Sequence, residues 1–331
     1  VNGRAASGSL LRLLLICALL AGAAVLHLST GARHIAPGTV VRALVDYHPA
    51  DFEQRIVVAL RLNRLLAALL VGGSLGMAGL LLQTLIRNPL GEPHILGLNA
   101  GASLAVVGGS ALGFQAQGQP LLAALGAALV FCLVLALSGA GRGGITPLKV
   151  TLCGVALSAF VSSITAAILL FDEQTLLAVR TWLAGDLAGV RPQTLIHAGM
   201  TALCGAALAL GLAPRLNVLA LGDSVAGGLG INLRRTRLLG LLAVSLLCGA
   251  AVAAAGPVGF IGLLVPHLIR RLGVEDLRAA ALLAMPVGAL LLVLADWLAR
   301  MLLASQELAT GAVTALVGAP LFILLAARCV K

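Results

Sequence analysis

Few side chains in this chain are equipped for chemistry, and arginine dominates them. Arg61 and Arg64 flank Leu62-Asn63, and Asp296 and Arg300 stand four residues apart on one apolar stretch. A guanidinium fork gives a carboxylate two charge-assisted hydrogen bonds. Asp296 and Arg300 therefore either pair along one helix, or Arg300 joins Arg61 and Arg64 in a basic patch. Such a patch would steer and dock an acidic soluble protein. His94 follows Pro93 and His267 follows Pro266, and both read as hydrogen-bonded helix-end histidines, not ligands. The other four histidines make no cluster, so neither a metal nor a cofactor is expected. Lys149 and Lys331 are the sole lysines, which rules out a G-x-x-x-x-G-K-[ST] phosphate loop. The chain does not bind and split ATP by itself, and no H-E-x-x-H or G-x-S-x-G motif supports another enzyme reading.

The elements that hold these side chains belong to a membrane. Of 331 residues 60% are hydrophobic and 10% charged, with a mean hydropathy of +1.08. A soluble domain cannot hide that much apolar surface, so an all-α polytopic membrane protein is expected, as a single domain over 1–331. The 40 glycines are about 12% of the chain against a usual ~7%, which suits helices whose backbones approach closely. The six cysteines sit in or beside apolar runs without a C-x-x-C and read as small core residues. A net charge of +10 is spread between apolar runs, with no basic, aromatic-bearing soluble segment, which argues against nucleic acid.

Apolar runs predict ten spans at 10–28, 65–86, 95–113, 121–138, 148–171, 195–213, 238–255, 258–271, 279–299 and 308–327. The first also has features of a signal peptide, with Arg4 and Arg12 ahead of Ala21–Ala24; the span reading is preferred. With both termini cytoplasmic, 14 of the 22 basic residues fall inside, including Arg87, Arg142, Arg234, Arg235, Arg237 and Lys331. That bias fits the positive-inside tendency. Arg55, Arg61 and Arg64 crowd an outer boundary against it. Outside lie a loop at 30–60, a short interfacial helix within 172–191, and a stretch at 300–311. The longest inner loop is 214–237.

The run from Gly256 to Leu272 is too short to cross a membrane and is weakened by Gly256, Gly259, Gly262 and Pro266. Backbone broken at membrane depth persists where it is buried in protein or lines a wet cavity, which points to a transport pathway. Residues 72–101 echo this pattern: a Gly-rich helix, then Asn88-Pro89-Leu90-Gly91-Glu92-Pro93, then a short span. The two preceding helices point opposite ways, as an inverted repeat requires. A secondary carrier with broken helices is the rival reading, but acidic residues within spans are nearly absent apart from Asp296.

Several stretches together resemble the permease subunits of bacterial iron–siderophore, haem and vitamin B12 ABC importers of the type II class. They are Arg61-Leu-Asn-Arg64, the Gly-rich helix ending Gln83, Asn88-Pro-Leu90, Ile95 to Ala102, Gly154 to Leu157, Leu219 to Gly222, Gly256 to His267, Ala295-Asp296 with Arg300, and Gly318-Ala-Pro320. The resemblance implies a ten-span subunit of the inner membrane paired with a second permease, identical or homologous, around a central path. It also implies separate ATPase subunits below and a periplasmic or lipid-anchored binding protein above. By the same resemblance Arg61, Arg64 and Arg300 receive carboxylates of the binding protein. Asn88 and Leu90 lie at an inner gate. The loop carrying Leu219, Gly222, Asp223 and Gly228 couples to the ATPase. Asn63 departs from the family's usual proline, and Asp186 from its usual small residue. The implied cargo is an iron chelate, foremost a ferric siderophore, with haem or a cobamide as alternatives.

Overall fold

A computed structural model describes residues 2–31, 33–114, 119–140, 147–274, 276–302 and 308–329. These residues are almost wholly helical: α1 Asn2–Ser29, α2 Pro37–Val45, α3 Phe52–Ile56, α4 Leu62–Ile86, α5 Leu98–Ala111, α6 Gln119–Gly139, α7 Pro147–Phe171 and α8 Glu173–Leu183 come first. α9 Pro192–Ala220, α10 Asp223–Gly228, α11 Leu233–Ala255, α12 Ile261–Arg271, α13 Leu277–Leu302 and α14 Thr310–Cys329 follow. Each of the ten expected spans falls on a helix. Among the described residues, seven helices are long and apolar enough to cross a membrane. The helices α5 and α12 are shorter, at 14 and 11 residues. Arg142, Lys331 and residues 303–307 of the expected outer stretch lie outside the described residues.

The bundle is organised around α4, which is mostly buried and packs chiefly against α13, α11 and α12. Glycine sets the approach of α4 to α12: Gly79 faces the carbonyl of Gly262 so closely that no Cβ would fit between them. That carbonyl is the one left without an i+4 donor, because Pro266 has no N–H to give it. α12 runs through Pro266 unbroken, so the interruption expected there lies instead at Gly256–Phe260.

Two other expectations change. The stretch 30–60 is not a loop. Pro37 opens α2, the Asp51 carboxylate caps α3 by accepting from the N–H groups of Glu53 and Gln54, and a π-turn at Val57–Arg61 runs straight into α4. The inner loop expected at 214–237 is mostly helix as well. α9 continues past Pro214 to Ala220 because Leu212, Ala213, Leu216 and Leu219 are buried in the bundle, and α11 already begins at Leu233. Leu219 is thus a core helix residue rather than a loop residue, and the short α10 stands between the two long helices. Of the cysteines, Cys248 is buried, whereas Cys17, Cys132 and Cys204 face outward from the bundle instead of filling its core.

Candidate functional site

At the end of the bundle carrying α2, α3 and α8, four polar side chains from four helices converge on one buried carboxylate. Asp296 on α13 is fully buried and accepts from Nε and Nη2 of Arg64 on α4 at 2.9–3.0 Å. His27 Nε2 on α1 lies 2.8 Å from its other face, and the Thr310 hydroxyl at the start of α14 donates to it at 2.5 Å. Arg300, one turn along α13, stands 3.5 Å away and also donates to the carbonyls of His27 and Thr30 at 3.1 and 3.2 Å. The pairing of Asp296 with Arg300 and the gathering of three arginines therefore coexist. Arg61 completes the group, donating to the carbonyls of Leu28 and Arg33.

Arg61 and Arg64, three residues apart where the π-turn gives way to α4, lie on one helix face. One extra residue per turn shifts the helix face, and Arg61 closes that turn. Asn63 supports it by donating to the Ala59 carbonyl at 3.1 Å. All three arginines line the floor of an open cavity of about 670 Å³ whose rim carries Arg33, Phe52 and Arg55. Three guanidiniums against one carboxylate leave the floor with excess positive charge, which favours an anionic visitor. Arg61 and Arg64 are 7% and 8% exposed and the Arg300 side chain 5%, so they form a fixed base, while Arg33 and Arg55 stand in the open.

At mid-bundle the two broken segments meet. The short helices α5 and α12 both start from a left-handed residue, Gly97 and Phe260 respectively. The Phe260 N–H donates to Glu92, and Asn99 donates to the Val258 carbonyl at 3.1 Å. Glu92, which by sequence counts as an inner-side charge, is 3% exposed and clamps one break to the other. Gly256, also left-handed, packs against the Trp182 carbonyl of α8. His267 bonds the carbonyl of Leu263 one turn back at 3.0 Å.

At the opposite end α4 stops at Arg87, a non-glycine residue in the left-handed region. Next comes Asn88, whose side chain accepts from the Leu90 N–H at 3.0 Å in a tight Asx turn, leaving Leu90 exposed. Beside this turn sits α10. Its Ala226 is buried, while Leu221, Val225 and Leu229, at a spacing of four, are exposed. Gly222 precedes α10 with φ +124, a value that excludes side chains, and Gly228 ends it in open space. Asp223 binds both Arg87 and Arg237.

The chain matches the FecCD transport family over residues 14–328. It belongs to that family. It is 42% identical to the ferric enterobactin transport system permease FepD of Escherichia coli K12, over 92% of each chain. Identity with the vitamin B12 import system permease BtuC of Vibrio cholerae is 40%, over 84% of this chain and 85% of that one. A solved structure described as an inward-facing metal-chelate type ABC transporter superposes with a TM-score of 0.80 at 29% identity, covering 96% of this chain and 98% of that one. This chain is a multi-pass membrane permease of an ABC import system.

The sequence shows Arg61, Arg64 and Arg300, and Asp296 as a partner of Arg300, but not the other partners. His27 and Thr310 carry no signal beyond their positions at helix ends, and nothing in the order of residues ties Arg64 to Asp296 across 232 positions. Arg87 and Arg237 read as generic inner-side charges, although their shared carboxylate sits in the segment already singled out.

Proposed function

We propose that this permease carries a metal chelate inward across the bacterial inner membrane, with a ferric siderophore as the leading cargo over haem or a cobamide. It works beside a second permease, on energy from separate ATPase subunits, and receives cargo from a binding protein. Relatives named for ferric enterobactin and vitamin B12 support the cargo class and leave its members to experiment.

The observation that carries this reading is the contrast between the two ends. One end holds an open cavity floored by Arg61, Arg64 and Arg300, suited to carboxylates of an acidic docking protein. The other presents exposed Val225 of α10, with exposed Leu221 and Leu229 at the two ends of that helix, where a partner's cleft can take them. In this orientation both termini are cytoplasmic, and Asn88 and Leu90 form an inner gate beside α10. Gly222 and Gly228 give α10 its turn and its clear end.

The assembled transporter tests both contacts at once. A crosslinker placed at Val225→Cys is expected to capture the ATPase, and one at Phe52→Cys the binding protein. Capture of the binding protein from position 225, or of neither partner from either site, would overturn the reading.

A further inference from the structure

Among the described residues, Asp223 joins α10 both to the end of α4 and to α11. Arg87 donates to its Oδ1, and Arg237 donates to Oδ1 and Oδ2 at 2.9 and 2.8 Å. These three groups are 36–44% exposed, so they form a surface link between elements rather than part of the core. The position of Arg87 gives the link its meaning. It is the left-handed cap of α4, its N–H bonds the Gln83 carbonyl, and the next residue is Asn88. Gln83 is held in turn by Arg270 of α12, at 2.9 Å. A non-glycine residue with φ +51 is conformationally costly and persists where the surroundings hold it. Asp223 supplies that hold from α10.

We infer that Asp223 is a positioning residue that ties α10 to the Asn88–Leu90 turn through Arg87, so that displacement of α10 is delivered to the end of α4. The inference rests on the reading of α10 as the ATPase-facing element. When α10 shifts, the Asp223–Arg87 bond moves the left-handed cap, and the Asx turn of Asn88 and Leu90 follows because it is the next backbone unit. Arg237 sets the direction of that shift by holding the same carboxylate against α11. Without the link α10 would still seat in its partner, and ATP would still be hydrolysed, but the turn would respond less.

The test is uptake per ATP hydrolysed by the complete transporter in liposomes. Asp223→Asn and Arg87→Gln are each expected to lower that ratio about three- to tenfold while ATP hydrolysis persists. The charge-exchanged double variant Asp223→Arg, Arg87→Asp should recover at least half of it. Asp276→Asn, at another exposed carboxylate of the same end that pairs with Asn217, should leave the ratio unchanged. A ratio unaltered in both single variants would overturn the link, as would a double variant no better than either single. Crosslinking from Val225→Cys separates the two levels. If the ATPase is captured and the ratio stays unchanged, the link is wrong while the docking reading stands; if the ATPase is not captured, the docking reading itself fails.

Discussion

At the residue scale, the Asp296 cluster illustrates why a buried charge must be fully partnered. An unpaired carboxylate at that depth is untenable, so each of Arg64, His27, Thr310 and Arg300 contributes to keeping Asp296 in place. Asp296→Ala strands two guanidiniums, and removal of one partner of a buried pair costs about 3–5 kcal/mol. The detergent-solubilised variant is expected to unfold at a clearly lower denaturant midpoint, whereas Arg55→Ala, at the exposed rim, should leave the midpoint within error. Asp223 differs because it is exposed. Burial pushes its carboxyl up, but the hydrogen bonds and charges of Arg237 and Arg87 outweigh this and hold it below the ordinary carboxylate value. A lowered folded-state value means that the interaction is complete at neutral pH and disappears as pH falls below about 3.9. Uptake per ATP should therefore be flat between pH 6 and 8, and a decline within that window would show that another group governs the coupling.

At the element scale, broken helices survive here because each break is matched by a close contact. The first break ends at Gly97 and the second at Phe260, and Glu92 and Asn99 join them where hydrocarbon offers no hydrogen bonds. Glu92→Leu leaves the Phe260 N–H without its acceptor and should destabilise the fold by about 1–3 kcal/mol; Glu92→Gln, which keeps an acceptor, should lose less. Gly79→Ala drives a methyl group into the Gly262 backbone and should cost about 1–3 kcal/mol or more through overpacking. Gly108→Ala, which meets nothing within 4 Å on α5, should be neutral or stabilising. Thermal unfolding of the paired variants reads both contrasts.

Element existence was legible in the sequence at nearly every span, because apolar runs of about 20 residues leave a membrane chain few choices. Element ends were less legible. Pro214 and Pro266 look like breakers, yet both lie within helices whose surrounding residues are buried, so packing overrides the local penalty. The region before Arg61 reads as loop because its charges hide a capped helix and a π-turn. Glu92 reads as a loop charge because its partner, Phe260, is 168 positions away. The arginines were visible by type; the carboxylates that organise them, Asp296 for Arg64 and Asp223 for Arg87, required the fold.

At the scale of the whole molecule, the chain joins two surfaces of opposite character through one buried helix. α4 begins at the arginine-floored cavity, carries the glycines that admit α12, and ends at Arg87 beside α10. A signal entering at either end thus has one continuous element to travel along, and the half-length helix α12 packs directly against it. The most direct measurement of this account is uptake by liposomes holding the permease with its ATPase and binding protein. The account predicts accumulation of a ferric siderophore, or of haem or a cobamide, that requires both ATP and the binding protein and does not respond to collapse of ion gradients. Accumulation that follows an ion gradient and ignores ATP would contradict it.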